Sequence, residues 1–486
     1  MMQLITSLYP KVLWKHFYDL TQIPRPSKHE HKAIEHVIAF AQNKGLTFKT
    51  DKAGNVVIIK PATPGMENRV PVVLQAHLDM VPQQNSGNQH NFITDPLQPR
   101  VVDGWVMATD TTLGADNGIG AAAILAVLED SEIPHGPIEA LFTVDEETRM
   151  GGARTLSPDW LRGRIFINTD SEDEGELFVG CAGAANACCR FIFEREKIPA
   201  NMTGYQISIT GLKGGHSGLD IHRGRANANK LLFRVIKRLV AAQGCYLSEV
   251  NGGSLRNAIP REAFATVAVP NDNIPHLQLE IDRLNKCFIS EYGHTEPEMQ
   301  MTITPTTVTY IMDPISQDDL INAIQACPNG VIRMSDTMHG VVETSTNLAV
   351  VQTQNNEVMV ISLVRSFIDS AKDDVCSSID SLFKLAGARV WYEGGYPGWK
   401  PNPDSTILSV MKEVYKKHHG QEPAVKAIHA GLECGILSHT YPHWDMISFG
   451  PTIRFPHSPD EKVNIESVGR FWDYLVETLR SIPEEE

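Results

Sequence analysis

Cysteine is sparse in this chain, eight among 486 residues, and no two of them stand in a Cys-x-x-Cys pair. Cys181, Cys188, Cys189, Cys245, Cys287, Cys327, Cys376 and Cys434 follow no framework spacing. That excludes a disulfide-stapled scaffold, makes a cysteine-ligated zinc site improbable, and reads as a set of reduced, mostly buried thiols in a cytoplasmic protein. Positive charge is also short: Lys and Arg number 43 against 58 Asp and Glu, a formal net charge of -15. Neither nucleic acid nor an anionic membrane is therefore expected as the main partner. Long apolar runs are missing as well. No stretch reaches bilayer length, and the N-terminus, with Lys11, Lys15 and His16 among its apolar residues, lacks a signal-type hydrophobic block.

What the sequence has is length, more than one ordinary core organises, so two or more domains are expected. From Trp14 to Lys44 the apolar period is helical, broken by a loop at Ile23 to Lys28 that carries two prolines. Asn55 to Ile59, Val70 to Ala76, Ile138 to Val144 and Arg164 to Thr169 then read as strands, with a helix at Ile119 to Leu128. Continuous apolar strands alternating with helices predict an α/β/α layering around a mostly parallel sheet, with binding groups at the carboxyl ends of the strands.

After Gly183 the character changes. Strand and helix signals from Tyr205 to Thr304, and again from Asp318 to Tyr392, each suit a ferredoxin-like β-α-β-β-α-β unit, although some strands give no signal. A Gly- and Pro-rich stretch from Gly394 to Pro403 marks the return. The expected organisation is a discontinuous first domain from residues 1–184 and 395–486, with an inserted α+β lid over 185–394 built from two ferredoxin-like halves.

The run Val72 to Met80 ends by presenting His77 and Asp79 two positions apart, which on a strand puts both side chains on one face. A metal-binding His usually gives its second ring N–H to a carboxylate. Asp116 sits in a glycine-bearing loop, Thr112-Leu-Gly-Ala-Asp-Asn-Gly, that opens a helix. Asp145-Glu146-Glu147 and Asp170 each follow an apolar strand, and His457 lies in a proline-stiffened loop. Adjacent strand residues point oppositely, so one Glu can bind metal while its neighbour faces the substrate water.

Taken singly, these are compatible with a strand end, a helix N-terminus and a solvated acidic loop. Counted together, His77, Asp116, Glu147, Asp170 and His457 offer two imidazoles and three carboxylates. With Asp116 shared, each of two metals receives one His, one terminal carboxylate and the bridge. Mixed N and O ligation with an open place suits catalytic Zn²⁺, and Co²⁺ or Mn²⁺ also fit. Two such ions would activate a hydroxide and polarise a carbonyl, so the chemistry implied is amide hydrolysis.

At this point the chain resembles the co-catalytic zinc metallopeptidases of the carboxypeptidase G, aminoacylase and carnosinase superfamily, and within them the bacterial aminoacyl-histidine (Xaa-His) dipeptidases. The motifs are His77-Leu-Asp79, Gly114-Ala-Asp116-Asn-Gly, Glu146-Glu147, Gly211-Leu-Lys-Gly-Gly-His-Ser-Gly, Leu255-Arg-Asn-Ala-Ile-Pro-Arg-Glu, Ile428-His-Ala-Gly-Leu-Glu-Cys-Gly and His457-Ser-Pro-Asp-Glu.

The resemblance implies that His77, Glu147, Asp170 and His457 are terminal ligands, and that Asp116 bridges and precedes a cis peptide. It makes Asp79 the group that orients His77 and Glu146 the general base. His216 would stabilise the oxyanion, Asn257 and Arg365 would hold the carboxylate end of a small dipeptide, and Gly431 would line the pocket. A homodimer is also implied. The function expected is metal-dependent hydrolysis of Xaa-His and other unblocked dipeptides by a metal-bridged hydroxide. The alternative is an N-acyl amino acid deacylase on the same metals. A dinucleotide oxidoreductase, suggested by Gly118-Ile-Gly120-Ala-Ala-Ala123, is disfavoured because Asp116 intrudes where a phosphate would approach.

Overall fold

A computed structural model describes residues 4–485. The chain divides into two compact units. The first comprises the residues up to Cys181, Trp399–Ala427 and those from Leu432 onward; the second comprises Ala182–Gly398 and Ile428–Gly431.

The first unit is organised by an eight-stranded sheet. Its centre is parallel. Val72–His77 pairs in parallel with Ile138–Thr143 on one side and Ile165–Asn168 on the other, and Ile165–Asn168 pairs in parallel with Asp445–Ser448. Every residue of Val72–His77, Ile138–Thr143 and Ile165–Asn168 is buried, as a sheet covered on both faces requires. The helix Ala115–Glu129 is buried nearly all round, and its Ala-rich middle lets the sheet approach closely.

Thr47–Thr50 against Val56–Lys60, Val56–Lys60 against Ile138–Thr143, and Glu176–Cys181 against Asp445–Ser448 run antiparallel. At the Thr47–Thr50 edge the physical reason is loop length. Thr47–Thr50 and Val56–Lys60 are joined by a short turn in which Asp51 Oδ1 accepts the N–H groups of Ala53, Gly54 and Asn55, and a connection that short can only make a hairpin. A four-stranded antiparallel sheet, of Pro99–Val102, Trp105–Ala108, Lys462–Asn464 and Ile453–Arg454, gave no sequence signal. It matters for function because Ile453–Arg454 and Lys462–Asn464 pair with each other, which makes the His457 segment their connecting loop.

The second unit is built on a nine-stranded antiparallel sheet. Met202–Thr210, Ala228–Gln243, Tyr246–Gly252, Ala263–Pro270, Ile274–Tyr292 and Gln300–Pro305 form one β-α-β-β-α-β run. The second run takes its first strand, Gly183–Ile192, from ahead of the whole first run and continues with Pro314–Ala326, Val342–Gln354, Glu357–Ser366, Asp369–Leu385 and Arg389–Tyr396. One half is thus nested inside the other, and the strand the sequence leaves unsignalled in the second half is the distant Gly183–Ile192. The halves join where Asn251 and Gly252 pair with Gln352 and Val351. Phe233, Ile236, Phe288, Leu320, Ile379 and Phe383 belong to one continuous core beneath both. Among the described residues, no helix is long and apolar enough to cross a membrane.

Candidate active site

The carboxyl ends of the central strands bring five donors together in the first unit. His77, the last residue of its strand, is buried, and its Nε2 lies 3.2 Å from Asp116 Oδ1 and 3.2 Å from Asp170 Oδ1. His457 Nε2 lies 3.2 Å from Asp116 Oδ2 and 3.0 Å from Glu147 Oε2. Asp116 therefore offers one oxygen to each imidazole. Two donor groups result, His77 with Asp116 and Asp170, and Asp116 with Glu147 and His457. Glu146 adjoins them in a third group with His77 and Glu147.

Each imidazole nitrogen has at most one proton, yet each faces two carboxylate oxygens, and Glu147 Oε1 is buried with no partner. Carboxylates crowded in this way call for cations. The donor set of imidazole nitrogen and carboxylate oxygen suits zinc, cobalt or manganese.

The electrostatics follow from the crowding. Burial works against the His77 imidazolium, but Asp170, Asp116 and Asp79 raise its pKa well above the ordinary value. Hydrogen bonding to Asp116 and Glu147 lifts His457 to about 11. For Asp116 burial opposes ionisation, and His457 and His77 nevertheless hold its carboxyl well below the usual range. Burial raises Asp170 to about 6 and pushes Glu146 well above an ordinary glutamate.

Local conformation departs from the sequence expectation at two places. The strand stops at His77, so Asp79 lies beyond it rather than on a shared strand face. Its carboxylate still reaches back, with Oδ1 3.4 Å from His77 Nδ1, and that ring nitrogen is also 3.1 Å from the Asp79 carbonyl oxygen. The Asp79 oxygens accept the backbone N–H groups of Glu146 at 3.0 Å and Glu147 at 3.1 Å and the Ser27 hydroxyl at 2.8 Å. The second departure is at Glu146 and Glu147, which do not alternate along a strand. Asp145 turns left-handed at φ 54°, the N–H groups of Gly151 and Gly152 close back onto Asp145 and Val144, and Glu146–Arg149 is a single helical turn. Neighbouring side chains there diverge by about 100° instead of 180°.

Asp116 itself is not helical, with φ -78° and ψ 111°, and the Asp116–Asn117 peptide is cis. Asn117 Nδ2 donates to Thr169 O and to Asp170 Oδ1, tying one carboxylate loop to the next.

Several buried groups here had no assigned role in the sequence reading. Arg25 donates to the carbonyls of Leu78, Asp79 and Gly114, and Glu461 accepts the N–H groups of Leu113, Gly114, Ala115 and Asp116. Beneath His77, Gln75 Nε2 donates to Glu433 Oε2 at 2.7 Å, and Asn168 Nδ2 donates to Gln75 Oε1 at 2.6 Å. Glu461 and Glu433 belong to the His457-Ser-Pro-Asp-Glu and Ile428-His-Ala-Gly-Leu-Glu-Cys-Gly stretches, and only the fold shows that both are buried. Arg25, between two prolines, gave only a loop signal.

The remaining sequence candidates, His216, Asn257, Arg365 and Gly431, all fall in the second unit. His216 Nδ1 accepts the N–H groups of Gly218 and Leu219 at 3.2 and 3.0 Å, which leaves Nε2 as the protonated nitrogen of the neutral ring. Burial, with Arg365 adding to it, lowers His216 to about 4. Asn257 is exposed and accepts the Ser217 N–H on its backbone carbonyl at 2.8 Å. Arg365 is buried and donates to Ser217 Oγ at 3.4 Å and Tyr396 Oη at 3.2 Å. No carboxylate pairs with it among the described residues. A Cβ on Gly431 would sit 2.7 Å from that same Tyr396 hydroxyl, so a side chain there would disturb the group that holds Arg365.

His429 belongs to this cluster, buried, with Nε2 2.7 Å from Ser345 Oγ and Nδ1 without a partner. Burial, then Arg365, His216 and His222, lower it to about 3. An unfolded His at the ordinary value of 6.5 then binds more protons than the folded one, so its contribution to stability is complete above pH 6.5 and is lost as pH falls toward 3. Between pH 7.5 and pH 5 the wild type should lose more denaturant stability than His429→Gln, by about 2 kcal/mol. Equal losses in the two proteins would remove His429 as the cause.

Residues 73–481 match the peptidase family M20/M25/M40. The cytosol non-specific dipeptidase of Escherichia coli K12 is 47% identical over 480 residues, covering 99% of each chain. The crystal structure of aminoacylhistidine dipeptidase from Vibrio alginolyticus superposes with a TM-score of 0.96 at 48% identity, covering 100% of this chain and 99% of that one. Aminopeptidase PepT from Bacillus cereus shares the fold alone, with a TM-score of 0.57 at 16% identity over 98% of this chain and 99% of its own. A family match across most of the sequence and near-half identity from end to end settle the assignment: this chain belongs to peptidase family M20/M25/M40.

Proposed function

We propose that this chain is a dipeptidase dependent on two divalent cations that hydrolyses unblocked dipeptides, Xaa-His among them. The observation that carries the reading is the division of Asp116 between two imidazoles, one carboxylate oxygen at 3.2 Å from each. His77, Asp116 and Asp170 would hold one cation, and His457, Asp116 and Glu147 the other, with zinc as the first choice. Bound there, two cations would acidify water and polarise a peptide carbonyl.

The chain's own residues do the rest. Glu146 accepts the proton of the attacking water on its carboxylate and delivers it to the departing amine as the C–N bond breaks, so the oxygen ends on the new carboxyl group. Asp79 orients the His77 ring and, through the Glu146 N–H, also fixes where the base stands. In the second unit, neutral His216 supplies an N–H for oxyanion charge, and the buried Arg365 recognises a carboxylate with Asn257 and the Gly431 loop beside it. The two whole-chain relatives carry the names non-specific dipeptidase and aminoacylhistidine dipeptidase, which supports broad tolerance that includes C-terminal His. A cytoplasmic homodimer completes the reading.

The test is hydrolysis of a panel of free dipeptides and their N-acetyl counterparts after reconstitution with zinc, cobalt or manganese. Free dipeptides should be cleaved and the acetylated forms should not. Preferential cleavage of the acetylated forms would make the chain a deacylase instead.

A further inference from the structure

The loop that carries Asp116 is gripped from two sides by fully enclosed charges. Glu461, 2% exposed, accepts four consecutive backbone N–H groups: Leu113 at 2.8 Å and Gly114 at 3.0 Å on Oε2, Ala115 at 2.8 Å and Asp116 at 3.2 Å on Oε1. Arg25, 1% exposed, grips the carbonyls of the same neighbourhood: Gly114 at 2.5 Å, Leu78 at 2.8 Å and Asp79 at 3.1 Å. Gly114, left-handed at φ 67°, leaves no room for a side chain, because a Cβ there would lie 2.6 Å from Arg25 Nη2. Burial disfavours the Arg25 charge, and Glu461 is the carboxylate that offsets this most.

The two clamps reach different ligands. Glu461 stands four residues after His457, at the end of a loop in which Phe455 and His457 are both left-handed, at φ 55° and 60°. Conformations of that kind cost roughly 1–3 kcal/mol each and persist only where surrounding contacts fix them. Glu461 is the tie from that loop to the Asp116 loop. Arg25 instead ties the Asp116 loop to the backbone that follows His77 and includes Asp79, the residue that orients the His77 ring.

We propose that Glu461 and Arg25 are positioning residues with divided duties. Glu461 fixes His457 against Asp116, Arg25 fixes His77 against Asp116, and each therefore sets the affinity of one cation position more than the other. The inference rests on the two-cation reading. Glu461→Gln keeps the shape but turns an N–H donor toward backbone donors. Arg25→Lys removes the fork that reaches three carbonyls.

The measurement is competition of the metal-free protein with a chelating dye for Zn²⁺, which yields a stoichiometry and two dissociation constants. Wild type should bind two ions. Each variant should weaken one ion by roughly 10–100-fold, the range for groups that orient metal ligands, while the other ion changes much less. Adding Glu461→Gln to His457→Ala should cost little more at the position His457 serves, whereas adding His77→Ala to Glu461→Gln should remove the ion that remains tight; for Arg25→Lys the two histidines exchange places. The ion that stays tight also reports that the variant is folded. Glu296→Gln, which alters an equally buried carboxylate bound to the N–H groups of Lys213 and Ala226 in the second unit, should change neither constant. Equal weakening of both ions, or none, overturns the divided clamp. A wild type that binds fewer than two ions instead overturns the reading on which it rests.

Discussion

Glu146→Gln should retain two cations and lose about 10²–10⁴-fold in kcat, the usual worth of a positioned acid–base group. The substitution is close to isosteric and leaves the backbone N–H that Asp79 accepts, at 3.0 Å, untouched. The neighbouring ligands therefore have no reason to move. What disappears is the one carboxylate of the cluster assigned to no cation, and an amide cannot take a proton from water. Metal content by mass spectrometry and turnover on a free dipeptide check the two halves of the result separately. A fully loaded variant with wild-type turnover would remove Glu146 from the base role.

How much of this could be read from the sequence depends on whether the signal was local. Apolar strands that end in His77, Asp170 and the Asp145–Glu147 turn announce themselves, because a covered parallel sheet demands continuous apolar strands and delivers its polar groups at their ends. Glu461 and Arg25 do not announce themselves. Their partners are backbone groups 345 to 348 residues away for Glu461 and 53 to 89 residues away for Arg25, and no local period encodes that. The same holds for Gly183–Ile192. Its Gly-, Ala- and Asn-rich start gives no strand signal, and its place as the first strand of the second ferredoxin-like half is a property of the sheet order, with Glu357–Ser366 and Arg389–Tyr396 as neighbours. At Glu146 and Glu147 strand alternation does not apply, because the strand Ile138–Thr143 has already ended. The left-handed Asp145 converts the strand into a helical turn, and a positive φ at a non-glycine residue is a tertiary outcome that sequence pattern does not specify.

Asp116→Ala should cost more than any other single change, because it alone withdraws an oxygen from both imidazoles. His457→Ala removes a donor from the Glu147 group and Asp170→Asn weakens one in the His77 group, so each should leave one cation tightly held. Loss of Asp116 leaves each group with one imidazole and one carboxylate. Groups that merely orient metal ligands are worth about 10–100-fold in affinity, so a shared direct ligand should cost well over 100-fold at each position. Both ions are then lost at micromolar Zn²⁺, and hydrolysis falls to background. The loop should survive, since Glu461 and Arg25 hold it through backbone groups that the substitution leaves in place. An unchanged far-UV circular dichroism spectrum beside zero bound metal would therefore separate lost ligation from lost folding. Retention of one tight ion by Asp116→Ala, with the other weakened only as much as in His457→Ala, would show that Asp116 serves a single cation and that the two positions are not bridged.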